Sequence, residues 1–382
     1  MKFKFLLLLG LCITLLTQYS CSNEVEVIGV WKDIPVVYGV INRADSVNYI
    51  RIERAYLPPN ESALDVAKNP DSLYFDTSYV KITMNYIFGN DTLPWPHVFE
   101  RVSLADEGIT REDGIFADNP AYVYKITERT AGDFLLKIDN KRTGKVFYAR
   151  TENVIAGASS LGGEILLLMT PSYSFVPYKP LAWRTVNTAG QEVYGNIAID
   201  MTLRNGKAGF ASIYDYKFRF YYKEFEVDNN GTAVPGTEVD KSIEWRAVSD
   251  FIPPSPTQAK QSINGERFYQ FLEANLSDVT GTNIRRCAGY MELYVDGASS
   301  SLKEYIEARQ ANEGFVGGLY PAEPYSNISE GYGVFATSDR LERPDRLSDP
   351  RLMELSILTR EFLRERTNTV KNIGFASATP CY

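Results

Sequence analysis

Residues 214–223 read YDYKFRFYYK and carry the clearest strand signature in the chain. Every second residue is aromatic and most of the residues between are charged, the aromatic positions being Tyr214, Tyr216, Phe218, Phe220 and Tyr222. Successive side chains of a strand point to opposite faces, so this pattern predicts one apolar and one solvated face. Such a row of rings could also stack on sugars or bases, but large aromatic side chains usually serve burial. We therefore expect a core strand of a β-sheet.

Weaker alternation on both sides of this stretch predicts a mainly β protein with two sandwich-like domains. In residues 28–156 the pattern recurs at 36–40, 48–54, 80–86, 122–126, 134–138 and 146–149, with turn signals between. Short runs of this kind are typical of an immunoglobulin- or transthyretin-like sandwich. The small residues of 156–163, AGASSLGG, mark a boundary, and residues 157–382 are predicted to form a second β-rich domain.

A few short helices are expected within the second domain. Residues 265–276 place apolar side chains at helical spacing, and Ser301 to Glu304 reads as a capping box that starts another helix. In the tail, a strand through Met353 and Leu355 and then a short helix from Thr359 is one interpretation. A single helix over 350–366 is the other. Residues 58–70 are expected to form a long exposed loop inside the first domain.

The N-terminus reads as an export signal. Lys2 and Lys4 precede about a dozen apolar residues, which is too short for a bilayer span of about 20 residues. Residues 1–20 are therefore predicted to be a signal peptide, and Cys21 directly after Ser20 favours a lipoprotein acylated on that cysteine. An ordinary secretory signal with an incidental cysteine is the alternative. Residues 21–27 form an acidic tether.

Composition limits the classes of partner. Removing 20 residues from 382 leaves 362, enough for two or three full cores, with 38 basic against 48 acidic residues and a net charge of −10. This acidity argues against nucleic acid as a partner. Cys287 and Cys381 remain as the only unacylated pair and could form a disulfide in an oxidising envelope, or stay as two buried thiols.

No pattern of catalytic or metal-binding residues stands out. His97 is the single histidine and lies beside Pro96 in a loop, so a histidine-rich metal site or a Ser-His-Asp triad is not expected. No phosphate-binding or dinucleotide motif occurs, and no cofactor is predicted. Glycoside hydrolysis needs only two carboxylates, so it stays open, but nothing singles out a pair. Trp95 and Trp183 are the best candidates for exposed rings that stack on a ligand, although large aromatic side chains more often serve ordinary packing.

Four stretches resemble a known family. They are residues 34–39 (IPVVYG), 49–54 (YIRIER), 325–335 (YSNISEGYGVF) and 369–375 (TVKNIGF). Together they are similar to Bacteroidota lipoproteins of the domain of unknown function 4249 family, over nearly the whole mature chain. No catalytic residues follow from this resemblance. The glycines of the third stretch also have a physical explanation, because glycine relieves strain at a turn beside a core strand.

The resemblance implies a place at the outer membrane, since family members are commonly encoded near TonB-dependent receptors. The acidic tether resembles the export signal that sends such lipoproteins to the outer face, and it could equally be a plain linker. Three loop positions match the Asp-(Ser/Thr)-apolar pattern that Bacteroidota glycosylate: Ser46, Ser72 and Thr92.

These observations favour a non-enzymatic lipoprotein, anchored in the outer membrane through Cys21 and exposed at the surface. It would bind a glycan or peptide as an accessory of a TonB-dependent β-barrel receptor. A fimbrillin-like adhesin or structural subunit is the alternative, and a β-sandwich glycosidase is a third.

Overall fold

A computed structural model describes residues 34–55, 62–111, 114–116, 120–128, 132–154, 164–170, 180–204, 211–255, 258–313, 324–342, 353–366 and 371–376. The predicted signal peptide, the tether with Cys21, the boundary segment and Cys381 lie outside these residues.

Strands dominate the described residues. In chain order they are β1 (Ile34–Asn42), β2 (Asn48–Ala55), β3 (Val80–Phe88), β4 (Asp91–Thr92), β5 (His97–Val98), β6 (Glu100–Ser103), β7 (Tyr122–Ile126), β8 (Asp133–Asn140), β9 (Lys145–Thr151), β10 (Glu164–Thr170), β11 (Arg184–Val186), β12 (Glu192–Tyr194), β13 (Asn196–Arg204), β14 (Ile213–Glu226), β15 (Val239–Phe251), β16 (Gln258–Asn264), β17 (Ile284–Ala298), β18 (Tyr332–Glu342) and β19 (Met353–Glu354). The helices are α1 (Ala63–Ala67), α2 (Pro70–Leu73), α3 (Gly265–Asn275), α4 (Ser300–Glu313) and α5 (Ile357–Arg366). The predicted mainly β class with a few short helices is confirmed.

The strands form two large sheets and two small ones. Sheet A has the order β15-β14-β17-β18-β1-β2-β7-β6, with β19 also paired to β17. Sheet B has the order β4-β3-β8-β9, with β5 also paired to β3. The small sheets are β10-β13-β16 and β11-β12. Sheet A thus contains strands from both ends of the chain.

The aromatic strand lies in a core, as its alternation predicts. Phe218 and Phe220 of β14 are fully buried, and they surround Trp183 together with Phe268 of α3. The Trp183 ring stacks on Phe268 at 5.4 Å and donates its Nε1–H to the Met291 sulfur at 3.2 Å. Burial, not ligand stacking, explains this row of rings.

Of the two interpretations of Trp183, the structure supports ordinary packing and excludes the exposed stacking ring. Its segment has no periodic pattern, so the sequence did not show which way it faces. In the fold, Leu181 N donates to Glu354 O at 2.7 Å, and Ser356 N donates to Leu181 O at 2.9 Å. These two bonds draw the segment beside the tail, and the indole is 0% exposed as a result.

A parallel pair of distant strands joins the two halves of the chain. β1 lies beside β18 in the register Val36↔Tyr332 to Asn42↔Ser338, and its other edge pairs with β2. Phe335 of β18 and Ile328 just before it are buried in the same core as Val37. The first core therefore contains residues from both ends of the chain. The boundaries predicted for the two domains stay predictions.

Residues 327–333 explain why the third family-like stretch has its composition. The side-chain amide of Asn327 pairs with Phe335 as the backbone of a neighbouring strand would. Its Nδ2 donates to Phe335 O at 2.7 Å, and its Oδ1 accepts from Phe335 N at 2.9 Å. Ser329 exchanges hydrogen bonds with Tyr148 of β9. Gly333 has φ +100°, and a Cβ there would overlap the Val37 carbonyl. The motif is thus a structural joint between sheets A and B.

The short elements differ from expectation in two places. The predicted loop 58–70 contains α1, which buries Val66, and α2 follows it, with Asn69 accepting from Asp71 N as the N-cap. Helix α4 begins at Ser300, one residue before the expected cap, and the Ser300 N–H donates to Glu152 Oε1 at 2.6 Å. A carboxylate distant in sequence therefore satisfies this helix end.

Cys287 is buried and disulfide-bonded, with a partner outside the described residues. The segment 371–376 runs beside it, because Arg286 N donates to Gly374 O at 2.8 Å and Ala376 N donates to Arg286 O at 3.0 Å. This places the chain five residues before Cys381 next to Cys287. The Cys287–Cys381 pairing stays a prediction.

Substituting Gly333→Ala should destabilise the protein by about 3 kcal/mol or more, because the methyl group would meet backbone at a strained dihedral angle. Gly144→Ala is the matched control, since its φ is +71° but open space surrounds it, and about 1 kcal/mol is expected. Urea unfolding of both variants measures the difference. An equal loss of unfolding free energy in the two variants would show that the strand contact at Gly333 is not tight.

Candidate functional site

Among the described residues, the two most exposed aromatic side chains lie at the end of β3 and between the short strands that follow it in sheet B. β3 is followed by β4 and β5, and the residues between β4 and β5 bulge outward as Leu93-Pro94-Trp95-Pro96. Trp95 is 73% exposed, and Phe88 at the end of β3 is 79% exposed. Prolines fix φ, so the ring of Trp95 is carried on a backbone with little freedom.

Both ends of this bulge are fixed to β3. Leu93 N donates to Tyr86 O at 2.9 Å, and Asn85 Nδ2 donates to Leu93 O at 2.9 Å. At the other end His97 pairs with Met84, and its Nδ1 lies 2.6 Å from Glu128 Oε2. His97 therefore holds the end of the bulge in place. The sequence placed His97 in a loop, whereas the structure places it in the short strand β5.

A cleft of about 560 Å³ lies beside the bulge, where sheet B meets the β6–β7 edge of sheet A. We call it the N-terminal cleft. Its apolar wall is formed by Val80, Ile82, Val98 and Phe99, its hydroxyl groups come from Thr77, Ser78, Tyr79 and Tyr124, and its cations are Lys81, Arg101 and Lys141. Val98 stands three residues after Trp95, so at most about 10 Å of backbone separates the residue that carries the exposed ring from the wall of the cleft.

The N-terminal cleft is positive on a protein whose net charge is −8. Among its described lining residues none is acidic. Arg101 Nη1 donates to Phe75 O at 2.9 Å, and its guanidinium lies 4.5 Å from the centre of the Tyr122 ring. Lys141 pairs with Asp139 at 2.8 Å, but Lys141 is 70% exposed. An exposed pair of this kind contributes little and can be exchanged for another partner.

Tyr124 lies at the floor of the N-terminal cleft and is only 2% exposed. Its hydroxyl oxygen is buried beside the Arg101 guanidinium, and no described group accepts its proton. Burial raises the pKa of Tyr124 to about 12, with the neighbouring Arg101 charge opposing the rise. The hydroxyl therefore keeps its proton at neutral pH and can donate it. A buried donor without an acceptor costs about 1–3 kcal/mol.

A second cleft, of about 240 Å³, lies between α4 and sheet A. Its charges are already matched: Arg246 donates to Asp215 at 2.7 and 2.8 Å, and Arg340 Nε donates to Asp296 at 2.6 Å. Lys217 approaches Asp296 at 2.7 Å. Burial alone would raise the pKa of Asp296, but the bonds from Arg340 and Lys217 outweigh it and lower the pKa. The positive and negative side chains of this network therefore compensate one another's charge.

The carboxyl groups of the described residues bear on acid–base and metal chemistry. The carboxyl groups with displaced pKa values all have lowered ones: Asp76, Glu107, Asp139, Glu224, Asp278 and Asp296. None of these six can be the neutral carboxylic acid that a glycosidase needs. Within the described ranges, no group of three or more His, Cys, Asp or Glu side chains could hold a metal ion.

The other predicted site residues are scattered. Ser46 is exposed in the β1–β2 turn, Thr92 is exposed in β4, and Ser72 is half-buried in α2. Their O-glycosylation stays a prediction. Cys21 and Cys381 lie outside the described residues. Of the two predicted stacking residues, only Trp95 is at the surface.

Sequence reasoning missed the N-terminal cleft. Arg101 and Tyr124 face each other across the β6–β7 pair but are 23 positions apart, with no motif that links them. The nearest signal was indirect: Tyr124 belongs to an alternating run, so its burial was expected, but the lack of an acceptor for its hydroxyl proton was not.

Comparison with known proteins gives little. No protein-family profile matches the chain, and no curated protein sequence matches it. A solved structure described as "Biofilm associated protein - B domain" aligns with 80% of this chain and 85% of its own, at 8% identity and a TM-score of 0.14. A score this low carries no argument. Of the helices in the described ranges, none has the length and apolar character needed to cross a membrane.

Substituting Asp296→Asn should cost about 2 kcal/mol at pH 7, because Lys217 and Arg340 lose their shared, largely buried partner. A lowered folded pKa gives stability that is present above the unfolded value of 3.8 and is lost as pH falls through the folded value. The difference in unfolding free energy between Asp296→Asn and the wild type should therefore stay constant from pH 8 to 5 and disappear below about pH 4.

Urea titrations between pH 2.5 and 8 measure this gap. Asp240→Asn is the matched control, because Asp240 is 86% exposed where it meets Lys223, and little change is expected. A gap that persists unchanged at pH 2.5 would contradict the role given to the carboxylate.

Proposed function

We propose that this chain is a non-enzymatic binding protein of the cell envelope, held to a membrane through acylated Cys21. Its N-terminal sandwich presents Trp95 to a glycan or peptide, as an accessory of an outer-membrane transporter. The observation that carries the proposal is the exposed indole of Trp95 on a pinned, proline-bracketed bulge.

Isolated apolar side chains at a surface need no explanation, but this one is not isolated. Phe88, Trp95 and Val98 are 79%, 73% and 53% exposed along one hairpin. The bulge is held by hydrogen bonds at one end and by strand pairing at the other, so little freedom is lost when a ligand stacks on the ring. Exposed and preorganised aromatic groups are typical of binding surfaces.

The sequence supports the anchor. Cys21 is followed by 12 residues before β1 begins at Ile34, a span of at most about 45 Å when extended. A body tethered this closely stays within reach of a β-barrel receptor in the same membrane. The resemblance to lipoproteins encoded near TonB-dependent receptors favours that partner.

The adhesin alternative is less favoured by the topology. A donated terminal strand must leave its own sheet and pair with another subunit. β1, the first described strand, is paired on both edges with β18 and β2, and it supplies Val37 and Ile41 to a core. Releasing it would expose that core.

The test uses wild-type protein, Trp95→Ala and Cys21→Ala. Purified mature protein is screened against neutral and acidic oligosaccharides, and Trp95→Ala should weaken binding roughly tenfold through loss of stacking. Ile357→Ala is the matched control, since Ile357 is 74% exposed in α5, and no change is expected. In cells, labelled palmitate should enter the wild type and not Cys21→Ala, which should become soluble.

Binding that is equal in the Trp95→Ala and Ile357→Ala variants would contradict the role of the bulge. Wild-type protein that carries no label and fractionates with soluble contents would contradict the anchor.

A further inference from the structure

We propose that the N-terminal cleft binds the oxyanion of an acidic saccharide, a carboxylate or sulfate group, while an adjoining sugar ring stacks on Trp95. The saccharide part rests on the function proposed above. The anionic part rests on separate observations at the cleft.

The first observation is charge. Lys81, Arg101 and Lys141 line the N-terminal cleft, and its described lining includes no acidic side chain. The whole chain has a net charge of −8, so this concentration of positive charge is local and not a general property. A cleft lined by one sign of charge attracts ligands of the opposite sign.

The second observation is the geometry of Arg101. Its Nη1 is occupied by the Phe75 carbonyl, and its plane packs on the Tyr122 ring. Arg101 also interacts with the Tyr124 hydroxyl, and it forms no salt bridge within 4 Å with a described carboxylate. A guanidinium without a carboxylate partner is the fork that binds a carboxylate or sulfate through two parallel hydrogen bonds. Arg101 is thus already oriented before a ligand arrives.

The third observation is Tyr124, directly opposite Arg101 in the β6–β7 pair. Its hydroxyl is buried beside the Arg101 guanidinium, which can only donate, so the hydroxyl proton lacks an acceptor among the described residues. An anion held by Arg101 would supply the missing acceptor, directly or through one water. The free energy that this hydroxyl costs in the ligand-free protein is then explained, because the fold holds a hydrogen-bond donor ready for the anion.

Size and position agree with a saccharide. The cleft volume of about 560 Å³ lies within the range of about 300–1,000 Å³ usual for ligand pockets. Val98, in the apolar wall, is three residues from Trp95, so at most about 10 Å of chain separates ring and cleft. A short oligosaccharide can occupy both.

The experiment is isothermal titration of the mature chain with two acidic probes, oligogalacturonate and chondroitin sulfate oligosaccharides. Each is paired with its neutral counterpart, the methyl ester and the desulfated form, which keep the sugar backbone. Wild-type protein should bind each acidic probe at least tenfold more tightly than its counterpart. Arg101→Gln should lose roughly 10- to 100-fold for the acidic probes only. Trp95→Ala should weaken acidic and neutral probes alike.

Tyr124→Phe provides a second test that does not depend on the stability of Arg101→Gln. It should weaken the acidic probes several-fold while the melting temperature stays the same or rises, because a buried hydroxyl whose proton lacks an acceptor is removed. A lower melting temperature would show that the hydroxyl has a structural acceptor and would overturn its role. Lys260→Gln is the charge control, since Lys260 is 65% exposed on β16 and distant from the cleft in sequence.

Equal affinity for acidic and neutral probes would overturn the anion site and leave the proposed glycan binding standing. Failure of every saccharide, acidic or neutral, would overturn both. If Arg101→Gln and Tyr124→Phe bind the acidic probes over the neutral ones with the same preference as the wild type, the anion binds elsewhere and this assignment is overturned.

Discussion

The parallel pairing of β1 with β18 is the contact on which the rest of the structure depends. It joins residues 36–42 to residues 332–338, so nearly the whole described chain lies between the two partners. The pairing needs close backbone contact, which Gly333 permits because it has no Cβ to meet the Val37 carbonyl. Through it, sheet A runs continuously from β15 to β6, and the first core receives Phe335 and Ile328 from the far end of the chain.

This closure also positions the candidate site. β7 carries Tyr124 and pairs with β2, which pairs in turn with β1, while β3 and β8 of sheet B pack over the same core. The N-terminal cleft is lined by residues of both sheets, and its wall residue Val98 follows Trp95 by three positions. The self-neutralised network at α4 lies instead where β14, β17 and β18 meet. The described lining of the N-terminal cleft thus contains cations and no acidic side chain, whereas the second cleft has its charges paired within its own lining.

Local patterns predicted local structure well. The alternation in β14 predicted a buried strand, and the spacing of Phe268 and Leu272 predicted α3, because burial on one face imposes a period. Contacts between segments that are distant in sequence impose no periodic pattern. Neither the β1–β18 pair nor the Glu152 carboxylate at α4 could therefore be predicted from the sequence. The sequence did not show the burial of Trp183 for the same reason, because this burial follows from tail residues more than 170 positions away. Trp95 was found because flanking prolines are a local signal. Arg101 and Tyr124 were missed because only the β6–β7 register brings them together.

The most direct test of this account is whether residues 22–156 fold without the C-terminal strand. Because the first core is completed by Ile328 and Phe335, the isolated fragment should show no cooperative urea transition and weak near-ultraviolet dichroism. The same fragment fused through a flexible linker to residues 324–342 should regain a cooperative transition. A fragment that unfolds cooperatively alone, with a free energy equal to that of the fusion, would contradict the central role of the parallel pair.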